Sequence, residues 1–95
     1  MADIAATIPV ILFQEDDKVV AYSPALDIST CGSDEKQARR MFSEAVVIFL
    51  NELKDMGTLD EVLEENGWRR DAGKRAWLPP VYKSASEEII IPAGV

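Results

Sequence analysis

The segment from Asp34 to Gly57 constrains the fold of this chain more than any other part of its sequence. Asp34 is a favoured helix N-cap, Gln37 stands three residues later at the capping-box position, and Gly57 is a typical C-terminal stop. Apolar residues recur at helical spacing between these signals, which predicts one long helix that runs to about residue 56. The predicted sheet-facing stripe consists of Ala38, Met41, Phe42, Ala45, Phe49, Leu53 and Met56.

The middle of this helix, residues 45–50, is apolar on every side. One helix face cannot bury six successive residues, because consecutive positions point in different directions. The second face therefore needs a cover from a later element, a second subunit or a partner protein. A shorter second helix is predicted next, with Thr58 as its cap, Glu61 at the capping-box position and Gly67 as its stop. This helix is the nearest candidate for the cover.

Three short strands are predicted before the long helix. The first is β-branched and apolar on both faces, which indicates a strand covered at least in part on both sides, and Pro9 leaves its start unpaired. A polar break of hairpin length at residues 16–18 leads into the second strand, and Gly32 closes the third. The predicted spans are residues 8–15, 19–23 and 28–31.

The last part of the chain has an irregular pattern. Residues 77–80 include two prolines that block a helix, and the isoleucine-rich residues 86–92 favour a strand. We therefore predict an α+β fold in which a three-stranded antiparallel meander is followed by a long helix, a short helix and a C-terminal strand (β-β-β-α-α-β). Residues 1–95 would form one domain, with a core at about 8–67 and an irregular arm with a strand at 68–95.

The chain is strongly acidic. Its 95 residues, enough for one domain, include 10 basic and 17 acidic side chains, for a net charge of −7. Binding to nucleic acid needs clustered Lys and Arg to neutralise phosphates, so we expect no DNA binding. The charge balance favours a basic partner, or serves only to keep the protein soluble.

Residues 68–83 are the exception, with five basic side chains against the single acid Asp71. The structural interpretation is that these cations pair with acidic groups of the same fold or of a second subunit. The alternative is binding of single-stranded nucleic acid, because two tryptophans interleave with the cations as stacking platforms would. The residues concerned are Trp68, Arg69, Arg70, Lys74, Arg75, Trp77 and Lys83.

Groups that commonly carry catalysis or bind metals are scarce. The chain has no histidine and no glycine-rich phosphate loop, and its one cysteine, Cys31, cannot form an internal disulfide. We therefore expect no enzyme activity, no metal and no cofactor, and we interpret Cys31 as a small strand residue. With no disulfide, no export signal and no apolar run of the ~20 residues that span a membrane, we expect a cytoplasmic protein without a membrane partner.

The order of the predicted elements and several short motifs in the first half of the chain resemble the HicB-like antitoxin family of type II toxin-antitoxin systems. Pro24 and Leu26 match a Pro-x-Leu motif, and the segment from Gly32 to Ala38 resembles the Gly-Asp-Thr/Ser-x-x-Glu-Ala start of the family's helix. These positions have physical reasons: Gly32 permits the turn, Asp34 caps the helix and Ala38 lets it lie close to the sheet. The hairpin lacks the family's usual glycine pair.

The resemblance implies a truncated ribonuclease-H-like fold without the nuclease site, and an antitoxin that binds and neutralises a small basic ribonuclease toxin of the HicA type. Many members of the family also have a C-terminal DNA-binding module, which residues 68–95 do not provide. The alternative is a solitary self-associating module with no toxin partner. In either case we expect a homo-oligomer, a dimer or larger, and we predict that partner binding or self-association uses Ile89, Ile90, Ile91, Val46 and Leu50.

Overall fold

Three antiparallel strands form the first part of the fold in the computed structural model, which describes residues 6–71, 73 and 76–94. Strand β1 (Ile11–Glu15) pairs with β2 (Lys18–Ser23), and β2 pairs with β3 (Ile28–Gly32), so the sheet order is β1-β2-β3. The predicted meander is confirmed. β1 begins at residue 11 instead of residue 8, because Pro9 has no N–H to donate to a neighbouring strand.

A two-residue turn joins β1 to β2. Glu15 lies opposite Lys18 in the ladder, and Asp16 takes a left-handed backbone conformation with φ 56°. Asp tolerates this region better than most residues, because its short polar side chain can hydrogen-bond locally. The hairpin therefore forms without the glycine that such turns often contain.

The two faces of this sheet differ in their cover. Ala21 and Thr30 are cross-strand neighbours on the face that meets the long helix; Ala21 is fully buried, and the Thr30 hydroxyl donates to the Ala38 carbonyl at 3.0 Å. On the opposite face, Ile11 is 53% and Phe13 is 45% exposed. The prediction that the first strand is covered on both sides is therefore wrong for the described residues, because one helix layer covers only one face of the sheet.

The long helix, α1 (Glu35–Met56), begins and ends as predicted. The Gln37 N–H donates to the Asp34 carboxylate at 2.7 Å, while the Gln37 side-chain oxygen accepts from the Ser33 N–H at 2.6 Å. Gly57 has φ 74°, a left-handed conformation that favours glycine at a helix end. Local signals at the two ends therefore define this helix.

Helix α1 lies very close to the sheet at its first turn. Ala38 is fully buried, and a Cβ atom on Gly32 would lie 2.6 Å from the Ala38 nitrogen. Side chains of ordinary size at these two positions would push the helix away from the sheet. This part of the motif therefore serves packing.

The buried stripe of α1 differs in part from the predicted one. Its buried positions are Ala38, Phe42, Val46 and Leu53. Met41 is 41% and Met56 is 71% exposed, so their assignment to the stripe is wrong. Met41 points about 100° away from Phe42 around the helix axis. Met56 lies in the last turn, beyond the last buried residue, Leu53.

The second helix, α2 (Leu59–Glu65), is present but starts differently from the prediction. The Thr58 side chain makes no capping bond; its hydroxyl donates to the Leu53 carbonyl at 3.4 Å, so the predicted capping box is wrong. At the other end Gly67 has φ 88°, and the Trp68 N–H donates to the Leu63 carbonyl at 2.9 Å. This bond closes the helix as predicted for a glycine stop.

The cover that α2 gives to α1 is only partial. Leu63 is buried in the core cluster, and Leu59 packs against that cluster. Val47 and Ile48 nevertheless remain 57% and 62% exposed. The predicted cover therefore reaches only part of residues 45–50.

A small hairpin that the sequence did not predict follows α2. Strands β4 (Arg69–Asp71) and β5 (Ala76–Leu78) pair antiparallel, with Arg70 opposite Trp77. Trp68 and Trp77 are 4% and 6% exposed, and the Trp68 indole N–H donates to the Ala25 carbonyl at 2.9 Å. The core cluster therefore extends beyond residue 67.

The C-terminal strand predicted at residues 86–92 is absent from the described structure. From residue 79 to residue 94, a segment that we call the arm, the chain forms neither helix nor strand, and residues 81–94 are all exposed. Successive isoleucines favour a strand, but a strand forms only beside a partner edge. The fold is thus mixed α/β with the order β-β-β-α-α-β-β, instead of the predicted β-β-β-α-α-β.

Candidate protein-binding surfaces

The arm leaves the body through a stiff root. Pro79 and Pro80 are half-buried, and Pro80 packs directly on Gly67, where a Cβ atom would lie 3.1 Å from the Pro80 Cγ. Two successive prolines restrict their φ angles and favour an extended backbone. The body therefore sets the direction in which the arm departs.

The far part of the arm presents apolar side chains to solvent. Ile89, Ile90 and Ile91 are 73%, 95% and 79% exposed. The molecule measures 62 × 29 × 23 Å and has a radius of gyration of 16.8 Å, whereas a compact chain of this length has about 12 Å. Burial of one isoleucine contributes about 1.5–3 kcal/mol, so a surface that covers this segment gains considerable free energy.

One face of the three-stranded sheet, opposite α1, is apolar and partly exposed; we call it the outer sheet face, formed by Ile11, Phe13, Val20 and Tyr22. The Tyr22 hydroxyl donates to the Asp27 carboxylate at 3.0 Å. This hydrogen bond raises the pKa of Tyr22, and partial desolvation and the nearby Asp27 and Tyr82 act in the same direction. The outer sheet face thus combines apolar side chains with one tyrosine hydroxyl that is hydrogen-bonded to a carboxylate.

A groove of about 410 Å³ lies between the chain before β1 and one flank of α1; we call it the β1 groove. Helix α1 packs mainly on β2 and β3, and the groove lies between the helix and residues 6–10, next to the start of β1. Arg39 also lines the groove and lies 3.9 Å from Glu35 on the helix surface. The apolar lining is formed by Ile8, Val10, Phe42, Val46, Val47 and Leu50.

Carboxylates concentrate at the end of the molecule formed by the last turns of α1 and by α2. Arg70 from β4 lies 3.9 Å from Asp60 there. The exposed acids of this end are Glu52, Asp55, Asp60, Glu61, Glu64 and Glu65. Cations concentrate instead on the first turns of α1, at Lys36, Arg39 and Arg40. The two ends of α1 therefore differ in charge.

Arg70 supports the structural interpretation of the basic segment. Its guanidinium lies 5.3 Å from the ring centre of Trp77, in addition to its contact with α2. Trp68 and Trp77 are buried, so neither ring is free to stack on a nucleic-acid base in this fold. Lys74 and Arg75 lie outside the described residues.

The five residues predicted to bind a partner fall into two separate sets. Ile89, Ile90 and Ile91 are exposed on the arm. Val46, which is 5% exposed, and the half-buried Leu50 line the β1 groove. The structure thus has an exposed apolar segment and a separate apolar groove, which do not meet within the described chain.

The residues of the family-like motif have structural roles. Leu26, Gly32 and Ala38 are buried, Pro24 is half-buried in the turn before β3, and Asp34 caps α1. They hold α1 on the sheet and form no cluster of exposed side chains. Neither the β1 groove nor the outer sheet face was predicted from the sequence. One signal for them was present in the sequence. The first strand is apolar at successive positions, so both of its faces are apolar, and one long helix can cover only one of them.

Reactive groups are sparse in the described part of the chain. Cys31 is an exposed free thiol on β3. Within residues 6–71, 73 and 76–94, no group of three or more His, Cys, Asp or Glu side chains is placed to hold a metal ion. No helix among those residues is both long enough and apolar enough to cross a lipid bilayer.

Comparison with known proteins found no match, so the function has to be inferred from the surfaces of the molecule. No protein-family model, no curated protein and no solved structure matches this chain. The features that bear on function are therefore the arm, the β1 groove, the charge distribution and the motif residues described above.

Proposed function

We propose that this chain is a protein-binding domain without catalytic activity, of the HicB antitoxin type, that binds and neutralises a small basic ribonuclease toxin of the HicA type. One observation carries the proposal: the arm holds three exposed isoleucines away from the body. Exposed apolar side chains in a contiguous segment mark an interaction site, because their burial removes apolar area from water. A protein surface is the ligand that such a segment fits best.

The charge of the chain favours a basic partner. Its net charge is −7, and the acids at the α2 end are exposed. Complementary charge accelerates association and discriminates among partners. A ribonuclease needs cationic side chains to hold RNA phosphates, so its substrate-binding surface has the charge that this acidic surface complements.

The sheet and α1 support the HicB-like part of the proposal. A three-stranded antiparallel meander followed by a long helix is the β-β-β-α order that the resemblance implies. The arm would supply the remaining strand of a truncated ribonuclease-H-like fold when it pairs with a sheet edge. Such an antitoxin would act in the cytoplasm, where the toxin meets its RNA substrate.

The direct test is inhibition of a HicA-type ribonuclease from the same organism. RNA cleavage is measured at increasing ratios of the full chain, and light scattering after gel filtration gives the mass of the complex. We expect cleavage to stop at a fixed molar ratio. We also expect the complex to weaken as salt increases, because salt screens charge pairs at a polar rim.

An unrelated small basic ribonuclease is the control for charge alone. Inhibition of the toxin but not of this control supports the antitoxin proposal, whereas absence of a complex with the toxin at low salt overturns it. Two matched charge reversals then locate the contact. Glu61→Lys with Glu64→Lys changes α2, and Glu15→Lys with Asp17→Lys makes the same change in charge at the hairpin.

A solitary self-associating module is the second candidate, and the β1 groove favours it. The chain has both an apolar segment and an apolar groove, so two copies can cover each other's exposed surfaces without a toxin. Sedimentation of the full chain over a range of concentrations tests this candidate. A dimer that dissociates on dilution is expected, and a monomer at every concentration contradicts it.

A further inference from the structure

We infer that the arm of one copy binds beside β1 of a second copy as an added strand, with Ile89 and Ile91 in the β1 groove and Ile90 on the outer sheet face. The inference rests on the self-association candidate and deepens it, because it names the partner and the contact site. The exchange is reciprocal, since each copy has one arm and one β1 edge, and it closes as a two-fold dimer.

Strand β1 is an edge strand with a free side. It pairs with β2, and the sheet order β1-β2-β3 has no described strand beyond it. An edge strand presents unpaired N–H and C=O groups to any extended segment. The arm forms no helix and joins no ladder in the part of the chain that the structure describes. The N–H and C=O groups of the arm can therefore form hydrogen bonds with the unpaired backbone groups of β1.

The space beside β1 is apolar on both sides of the sheet. On the helix side, the β1 groove lies next to the start of β1, with Val10 and Val46 in its lining. On the other side are Ile11 and Phe13, which are 53% and 45% exposed. Successive side chains of a strand point to opposite faces, so a strand that fits here must be apolar at successive positions. The arm meets this requirement at Ile89, Ile90 and Ile91.

The other edge of the sheet offers no such fit. Strand β3 places the exposed side chains of Ser29 and Cys31 on its outer face. Its helix-facing side is already covered by α1, to which Thr30 donates a hydrogen bond. An isoleucine strand added at β3 would meet polar groups on one face and a packed helix on the other.

Charges at the two contact sites are complementary. Glu87 and Glu88 precede the isoleucines of the arm, and Arg39 lines the β1 groove. The Arg39 guanidinium and the Glu35 carboxylate lie 3.9 Å apart, and both side chains are well exposed. Because such surface ion pairs are weak, Arg39 remains able to bind a carboxylate of the arm. Pro92 then ends the added strand, because proline has no N–H for a ladder.

The arm leaves the groove of its own chain uncovered. Pro80 packs on Gly67, and the exposure of the isoleucines shows that the arm does not fill that groove. Residues 81–91, up to the last isoleucine, can span up to about 36 Å when extended, at about 3.3 Å per residue. This length is enough to reach the sheet of an adjoining copy.

Sedimentation equilibrium tests the role of the isoleucines. The full chain is compared with the Ile89→Asp, Ile91→Asp double variant and with Val81→Asp, which changes an arm residue that is 88% exposed and lies outside the inferred contact. We expect the full chain to dimerise and the dissociation constant of the double variant to rise at least tenfold. We expect the Val81→Asp control to stay near the value of the full chain.

Disulfide trapping tests the contact site. In a Cys31→Ser background, chains with Ile90→Cys are mixed with chains that have either Ile11→Cys or Phe13→Cys, and the mixture is oxidised. We expect a disulfide between the two chains for at least one of these pairs, because both partner positions lie on the outer sheet face beside β1. Chains with Ser29→Cys on β3 are the matched control and should give little product.

The possible outcomes test the inferred contact site and self-association independently of each other. A dimer whose disulfides form with β3, or not with β1, overturns the inferred site and leaves self-association standing. A monomer at every concentration overturns both, while the toxin-binding proposal keeps its own test. A disulfide within a single monomer that has both Phe13→Cys and Ile90→Cys shows that the arm covers its own sheet, which excludes the second copy as its partner.

Discussion

The indole N–H of Trp68 donates a hydrogen bond to the carbonyl oxygen of Ala25 at 2.9 Å, across 43 positions of the sequence. Both residues are buried, so this bond joins the end of α2 to the turn between β2 and β3 inside the core. The Ala25 N–H is also satisfied, because it donates to the Ser23 hydroxyl at 3.2 Å. Hydrogen bonds at both the N–H and the carbonyl of Ala25 thus hold the turn that contains the Pro-x-Leu motif.

We expect Trp68→Phe to destabilise the fold by about 1–3 kcal/mol, because it leaves the Ala25 carbonyl buried without a donor. In a domain of this size, each kcal/mol lowers the melting temperature by about 4–8 °C. Thermal unfolding followed by circular dichroism measures the change. Trp77→Phe is the matched control, since it removes the same indole ring from the core without breaking this bond. Equal effects of the two variants would contradict the assignment.

Gly32→Ala should loosen the contact between α1 and the sheet. The added Cβ would lie 2.6 Å from the Ala38 nitrogen, and the backbone of the helix start must shift to admit it. We expect a loss of about 1–3 kcal/mol, typical of overpacking. Urea unfolding measures it, with Gly94→Ala as the neutral control, because no atom lies within 4 Å of a Cβ at Gly94. An unchanged midpoint for Gly32→Ala would show that the close approach is not needed.

The two helix starts should respond differently to loss of their side-chain oxygens. Asp34→Ala removes the acceptor of the Gln37 N–H and should cost about 0.5–2 kcal/mol. Thr58→Ala should cost less, because the Thr58 side chain makes no capping bond. Chemical denaturation of both variants gives the comparison. A larger loss for Thr58→Ala would indicate that α2 depends on a contact other than the cap.

The hydroxyl of Tyr22 should make stability depend on pH in the alkaline range. The hydrogen bond to Asp27 raises the pKa of Tyr22 above the ordinary value of 10.0. A group whose pKa rises on folding contributes stability that is fully present below its unfolded pKa and is lost as the pH increases through its folded pKa. The contribution of Tyr22 is therefore complete below about pH 10 and declines above it.

Spectrophotometric titration of tyrosine measures this shift, with Tyr22→Phe identifying the signal. Asp27→Asn should lower the pKa of Tyr22 toward 10.0, because it removes the charge of the acceptor. Asn also tolerates the left-handed backbone of this position, where φ is 54°. Asp17→Asn, at the exposed hairpin, should leave the titration unchanged. An unshifted Tyr22 in the Asp27→Asn variant would contradict this assignment.

The parts of the fold that sequence analysis predicted are those with local causes. Asp34 and Gly57 define the ends of α1 through bonds to residues within one turn, and short strands around a polar break define the meander. The β4–β5 hairpin was missed, because each strand has only three residues and β4 reads Arg-Arg-Asp, which has no apolar alternation. Tertiary packing of Trp68 and Trp77, not propensity, holds this hairpin in place.

The candidate site was predicted only in part, for a geometric reason. The apolar character of Ile89, Ile90 and Ile91 is visible in the sequence, but their exposure depends on where the arm leaves the body. The β1 groove exists because α1 crosses β2 and β3 rather than β1, and no periodicity in the helix determines which strands it crosses. The partner-binding role of Val46 and Leu50 stays a prediction; the structure adds that both line the β1 groove, which the sequence could not indicate.

The proline root described above also affects the thermodynamics of capture. A flexible tail samples many conformations and loses that freedom when it binds, at about 1–2 kcal/mol for each backbone residue that becomes ordered. Pro79 and Pro80 have already lost much of this freedom in the free chain, because their rings fix φ and Pro80 packs on Gly67. The root of the arm is therefore preorganised, and the arm should lose less conformational freedom on association than the same segment on a glycine-rich tether would.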